Sequence, residues 1–163
     1  MLRVFTPEDD IALERERPYK QSPPVEVFLA GGIPGCPDWQ KEFIDKFREI
    51  LYKDNVIIYN PRLPEFVDTS DKALQKQIKW EHEALGYAQF VVFWFPKESV
   101  CPTTLFELGH VLGRKDGPKI IVGVHPEYSH RRNIHYQLLY SEKTVGIIAD
   151  TIDDLVEALD YYL

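Results

Sequence analysis

Glu107 stands in Phe106-Glu107-Leu108-Gly109, a short distance beyond the apolar run Phe90-Val91-Val92-Phe93-Trp94-Phe95. Six consecutive apolar residues bounded by polar loop read as a strand buried on both faces. A short loop and then a helix start follow within Pro102-Thr103-Thr104-Leu105-Phe106, which predicts Glu107 inside the first turn. Ligands of open α/β sheets bind at the carboxyl edge of the strands. A carboxylate held there is a candidate reacting group. A helix N-terminus favours negative charge by about 0.3–1 kcal/mol, so Glu107 is expected to stay ionised at neutral pH. An ionised carboxylate can attack an acetal-type carbon, as in glycosyl transfer. Thr104-Leu105-Phe106-Glu107 also has the spacing of a capping box, in which the glutamate only ties off the helix. Both readings stand on the sequence alone.

A sugar C1′ set against Glu107 would need a proton delivered to the departing base, because a base anion leaves poorly. Glu81 is the candidate donor. It lies on the preceding helix, where Gln77, Trp80, Glu81 and Ala84 are surface neighbours by their spacing. A solvated glutamate is the competing reading. Trp39, Trp80 and Trp94 either flank a planar ring or pack the core. Ser99, Thr103 and Thr104 offer hydroxyls to sugar or phosphate oxygens. Gly31 and Gly32 follow the strand Val25–Ala30 and form either a tight turn or a close backbone approach to a ligand. Asp38 is placed to cap the next helix. Asn60-Pro61-Arg62 ends another strand, with Arg62 facing solvent or an anion. Cys36 and Cys101 follow strands expected to be neighbours, so their side chains are expected close together, most simply as packing. The candidate site is therefore Glu107 and Glu81 as catalytic groups, with Gly31, Gly32, Asp38, Trp39, Asn60, Trp80, Ser99, Cys101, Thr103 and Thr104 around the substrate.

The elements that must position these residues alternate along the chain. Strands are expected at 25–30, 56–59, 90–95, 119–124 and 143–148. Helices are expected after Asp38, from Thr69-Ser70-Asp71 to about Tyr87, after Pro102, and after Asp150 or Thr151. That alternation predicts a three-layer α/β/α, flavodoxin-like domain with a five-stranded parallel sheet in the order 2-1-3-4-5. Its crevice would lie between the first and third strands. Residues 1–24 read as an arm or edge element outside the core, and residues 25–163 as one domain.

The chain has 163 residues, 44% hydrophobic and 28% charged, which suits one globular domain with a real core. Its formal net charge of −7 argues against a nucleic-acid backbone or an anionic membrane as partner. A small phosphorylated ligand held by one or two arginines is still compatible with it. Two cysteines without a CxxC, no apolar run of membrane-spanning length and no signal-peptide core lead to the expectation of a reducing, cytoplasmic setting. His82, His110, His125, His130 and His135 include no HExxH, so no metal and no cofactor are expected. His110 reads as a helix-face residue or a site residue. Arg131-Arg132 reads as a solvated pair or as a reach towards phosphate across a subunit contact.

Several segments together resemble the nucleoside 2-deoxyribosyltransferase-like superfamily, which includes deoxyribonucleoside 5′-monophosphate glycosidases. They are Val27-Phe28-Leu29-Ala30-Gly31, Asn60-Pro61, Gln77-Ile78-Lys79-Trp80-Glu81, Ala88 to Phe95, and Phe106-Glu107-Leu108-Gly109. The resemblance implies a glutamate nucleophile at Glu107, a covalent 2-deoxyribosyl-glutamate intermediate and an acidic residue at Glu81 that handles the base. It also implies no metal, and a homo-oligomer in which a neighbouring subunit completes the site. The expected partner is a small-molecule nucleoside or nucleotide. Cys101 stands where many of these transferases carry an aspartate, and Phe28 where many carry a tyrosine. A nucleotide-binding or sensing module of the same fold, with catalysis reduced, is the alternative.

Overall fold

The computed structural model describes residues 2–15, 23–51, 55–63, 70–141 and 145–163. Its six strands are β1 (Leu2–Phe5), β2 (Val25–Gly31), β3 (Val56–Tyr59), β4 (Phe90–Phe95), β5 (Lys119–Val124) and β6 (Val145–Ala149). Its helices are α1 (Ile11–Arg15), α2 (Trp39–Ile50), α3 (Asp71–Tyr87), α4 (Pro102–Leu112), α5 (Arg131–Leu139) and α6 (Ile152–Tyr162). All neighbouring strands are parallel, in the order β1-β3-β2-β4-β5-β6. The five expected strands keep their expected order, and the order reverses between β2 and β4. Residues 143 and 144 of the last expected strand, and Thr69 at the expected start of α3, lie outside the described residues.

Among the described residues the sheet has six strands, not five. The sixth, β1, comes from the segment read as an arm or edge element; it takes the edge of the sheet and pairs with β3 from Leu2↔Val56 to Phe5↔Tyr59. Four residues are too few to show a strand's alternation clearly, and the pairing that stabilises them is with a strand some fifty positions away. Phe5 and Ile11 are buried and join the core, so this part of the segment does not lie outside it. Arg15 of α1 forms an ion pair with the buried Glu26 of β2, and the Tyr59 hydroxyl donates to the same carboxylate at 2.9 Å. Residues 16–22 of the arm lie outside the described residues.

Alternation along the strands divides the core into two layers. Phe28, Ala30, Val91 and Phe93 face α1, α3, α4 and α5. Val27, Leu29, Val92 and Trp94 face α2 and α6. β4 is buried at all six positions, as a central strand covered on both faces must be. Trp39, Phe43, Ile44 and Phe47 recur at helical spacing and bury one side of α2. Each such large side chain contributes about 1.5–3 kcal/mol by leaving water. Asp38 caps α2 by accepting the Lys41 N–H at 3.0 Å, and Ser70 caps α3 through the Ala73 N–H.

Candidate active site

α4 begins earlier than its threonines suggest. Pro102 is its first residue, and Cys101 precedes it in a left-handed conformation (φ 53°, ψ 57°) with no side-chain cap. Proline is pre-set for the first helical position and has no N–H to satisfy there. Glu107 is therefore the sixth residue, in the second turn, and the Thr104–Glu107 capping box does not form. This corrects the first-turn expectation.

Glu107 instead lies on a stripe of α4 with Thr103, Phe106 and His110. That stripe meets Ile78, Glu81, His82 and Leu85 of α3 around a cavity of about 170 Å³. Both stripes repeat at i, i+3, i+4 and i+7, so each is one continuous face of its helix. The His82 and His110 rings stand edge to face at 6.0 Å.

Burial, and then the nearby Glu81 carboxylate, pushes the Glu107 carboxyl up to about 8. No donor meets it among the described residues. It therefore holds a proton at neutral pH, contrary to the expectation of an ionised group. The helix-end effect is under about 1 kcal/mol and fades beyond the first turn, so desolvation wins. Burial also raises Glu81, but the Gln77 amide donates to it at 2.9 Å and His82 favours its charged form. Of the two carboxyls, Glu81 is thus the better prepared to ionise. Neighbouring carboxyls with separated tendencies are how one site holds an acid and an anion together.

Thr103 lines the cavity with the two glutamates; the remaining candidates lie elsewhere. Thr104 is buried at 3% exposure. Trp80 faces inward from α3 onto Phe28 and Tyr59, and its indole N–H has no hydrogen-bond partner among the described residues. Trp39 lies across the sheet, in the α2 layer, and donates to the Gly32 carbonyl at 3.1 Å. A Cβ on Gly31 would sit 2.5 Å from the Trp39 ring and 2.6 Å from the Trp94 carbonyl, so that glycine admits close packing. Trp94 is buried in the same layer. Asn60 accepts the Arg62 N–H at 3.0 Å, and Ser99 accepts the Cys101 N–H at 3.1 Å.

Arg62 is not solvated; the carboxylate it faces is the protein's own Asp38. Its guanidinium donates to the carbonyls of Ile33, Cys36 and Pro37 and to the Gln40 side chain, and lies 3.5 Å from Asp38. It clamps the loop after β2. Cys101 is buried beside Cys36, as the neighbouring strands predict. Gly31, Gly32, Asp38, Asn60, Ser99 and Cys101 thus gather along the carboxyl edge of the sheet, and none of them lines the α3–α4 cavity. Arg131 donates to the Val124 carbonyl and to Asp150, the latter at 2.5 Å, which ties the ends of β5 and β6 together.

Ile78, His82, Leu85 and Phe106 line the cavity without having been singled out for it. Ile78 reads as an inward residue but is 44% exposed at the cavity rim. The signal for all four was the helical stripe they share with Glu81 or Glu107. No three or more His, Cys, Asp or Glu residues come together as a metal site among the described residues.

A family model described as nucleoside 2-deoxyribosyltransferase like matches residues 24–128. No curated protein matches the chain. The matched span runs from the start of β2 past the end of β5 and includes Glu81, Glu107 and the cavity between them. The chain belongs to the nucleoside 2-deoxyribosyltransferase-like family.

Proposed function

We propose that the protein cleaves or transfers the N-glycosidic bond of nucleosides or nucleotides, with Glu107 as nucleophile and Glu81 as proton carrier. The observation that carries this reading is the meeting of both glutamates on one cavity, where burial raises both and the Glu81 carboxylate raises Glu107 further. Glu107 starts protonated and must lose that proton to attack. Glu81, held by the Gln77 amide, accepts it and passes it to the base nitrogen. As the C1′–N bond breaks, the base leaves neutral and the Glu107 oxygen bonds to C1′. Water or a second base then captures the sugar, restores Glu107, and completes hydrolysis or transfer.

The reading places the enzyme in the cytoplasm as a homo-oligomer acting on small molecules. No described helix is long and apolar enough to cross a membrane. Phe106, 68% exposed at the cavity rim, suits cover by a neighbouring subunit.

The test is incubation with a panel of nucleosides and nucleotides. Free base is read by chromatography, and a sugar adduct by mass on the peptide containing Glu107. Full base release by Glu107→Gln would overturn the mechanism. A second reading, a nucleotide-binding module without turnover, draws on Phe28 and Cys101. Both are buried, and they stand where the family resemblance places a tyrosine and an aspartate. Calorimetric binding with no base release over hours would select it.

A further inference from the structure

We infer that Cys36 and Cys101 form a dithiol–disulfide site that reacts with small-molecule disulfides such as glutathione disulfide. The bridge would join the loop after β2 to the start of α4. It stands on the sulfur positions and does not depend on the glycosidic reading.

Both sulfurs converge over Gly32. A Cβ built there would lie 2.8 Å from Cys36 Sγ and 2.9 Å from Cys101 Sγ. Pro96 Cγ would lie at 2.8 Å from the same Cβ, so both thiols and the Pro96 ring pack directly over the bare glycine, and any larger residue would displace them. Both cysteines are free thiols, Cys36 half-buried and Cys101 buried. Cys101 is held in place by its N–H to Ser99 Oγ at 3.1 Å and by its thiol to the Ser99 carbonyl at 3.4 Å. It adopts a left-handed conformation (φ 53°) that non-glycine residues seldom take, and its side chain is thereby directed at Gly32. The Cys36 loop is fixed from its other side by the Arg62 clamp on the Ile33, Cys36 and Pro37 carbonyls.

The two thiols differ in access, which sets the order of events. The Cys36 thiolate attacks one sulfur of glutathione disulfide, forming a mixed disulfide and releasing one glutathione thiol. The Cys101 thiolate then attacks the Cys36 sulfur, closing the bridge and releasing the second. Two protein thiols are oxidised and one glutathione disulfide is reduced to two thiols, so atoms and electrons balance. Burial raises both thiols, and Glu98 adds to this, while Arg62 favours the Cys36 thiolate. Exchange is accordingly slow at neutral pH and faster in alkaline buffer.

The test treats the full chain with excess glutathione disulfide in alkaline buffer, quenches with acid, and measures intact mass and an unreduced peptide map. The expected result is loss of two hydrogens, a linked pair of Cys36 and Cys101 peptides, and a higher melting temperature than the dithiothreitol-treated sample. Cys101→Ser should instead accumulate a stable glutathione adduct on Cys36. Stable glutathione adducts on the unaltered protein, disulfide-linked dimers without the internal link, or no reaction would each overturn the inference.

Discussion

At the start of α6, Asp154 accepts the Thr151 N–H at 3.0 Å while Thr151 Oγ1 accepts the Asp154 N–H at 3.1 Å. At the start of α4, Thr104 and Glu107 have the same spacing and make neither bond. The difference lies in where each helix begins. Thr151 is extended and immediately precedes α6, so its acidic partner falls at the third helical position. Pro102 starts α4 two residues before Thr104, which carries Glu107 into the second turn and onto the α3 seam. Hydrogen bonds hold the exposed Asp154 carboxyl below its usual range, whereas burial and Glu81 push Glu107 up to about 8. An acid three residues after a threonine is a cap only when the helix begins at the threonine.

The widest separation between these two acids is expected in catalysis. Glu107→Gln should lower base release by about 1,000-fold or more, as loss of a nucleophile does. Asp154→Asn should leave turnover within about twofold, since it touches only a helix end. Chromatography of released base on the best substrate checks both.

Next in size is the opposite pH dependence of stability. The folded-state value of Glu107 lies above its ordinary one, so between about pH 4.5 and 8 the folded protein binds more protons than the unfolded chain. Its contribution to stability therefore falls as pH rises through that window, and Glu107→Gln should remove the loss. Asp154 is depressed, so its contribution is present above its unfolded value and disappears as pH falls through the lower folded one. Asp154→Asn should flatten the acid limb only. Urea denaturation across pH measures both slopes.

Glu81→Gln should move the Glu107 window to lower pH by removing a like charge. The movement should be only partial, because burial is the larger cause. The smallest effect is Thr151→Ala, which opens the α6 box and should lower stability by about 1 kcal/mol with turnover unchanged.

Much of the scaffold was legible because its signals are local. The β4 run from Phe90 to Phe95 and the caps at Asp38 and Thr151 are each set by a few adjacent residues. β1 was not, because its four residues gain their stability from β3. Strand order followed from the alternation of elements and the handedness of crossovers. In the site, Glu81 and Glu107 were readable as chemical groups, and the stripe spacing named their neighbours. Which helix each stripe meets depends on tertiary packing, which spacing does not encode. The same holds for charge state: Glu107 next to a helix start reads as an anion until its burial and its distance from the N-terminus are known. Trp39 and Trp80 differ for the same reason, since the sheet separates two aromatics that look alike in sequence.

A carbon-13 NMR titration of the side-chain carboxyl of Glu107, assigned by its disappearance in Glu107→Gln, tests the account most directly. The midpoint is predicted at about 8 in the unliganded protein. A midpoint near the ordinary glutamate value of about 4.3 would mean that the carboxyl is solvated, and would contradict the half-buried, proton-holding Glu107 on which the proposed chemistry rests.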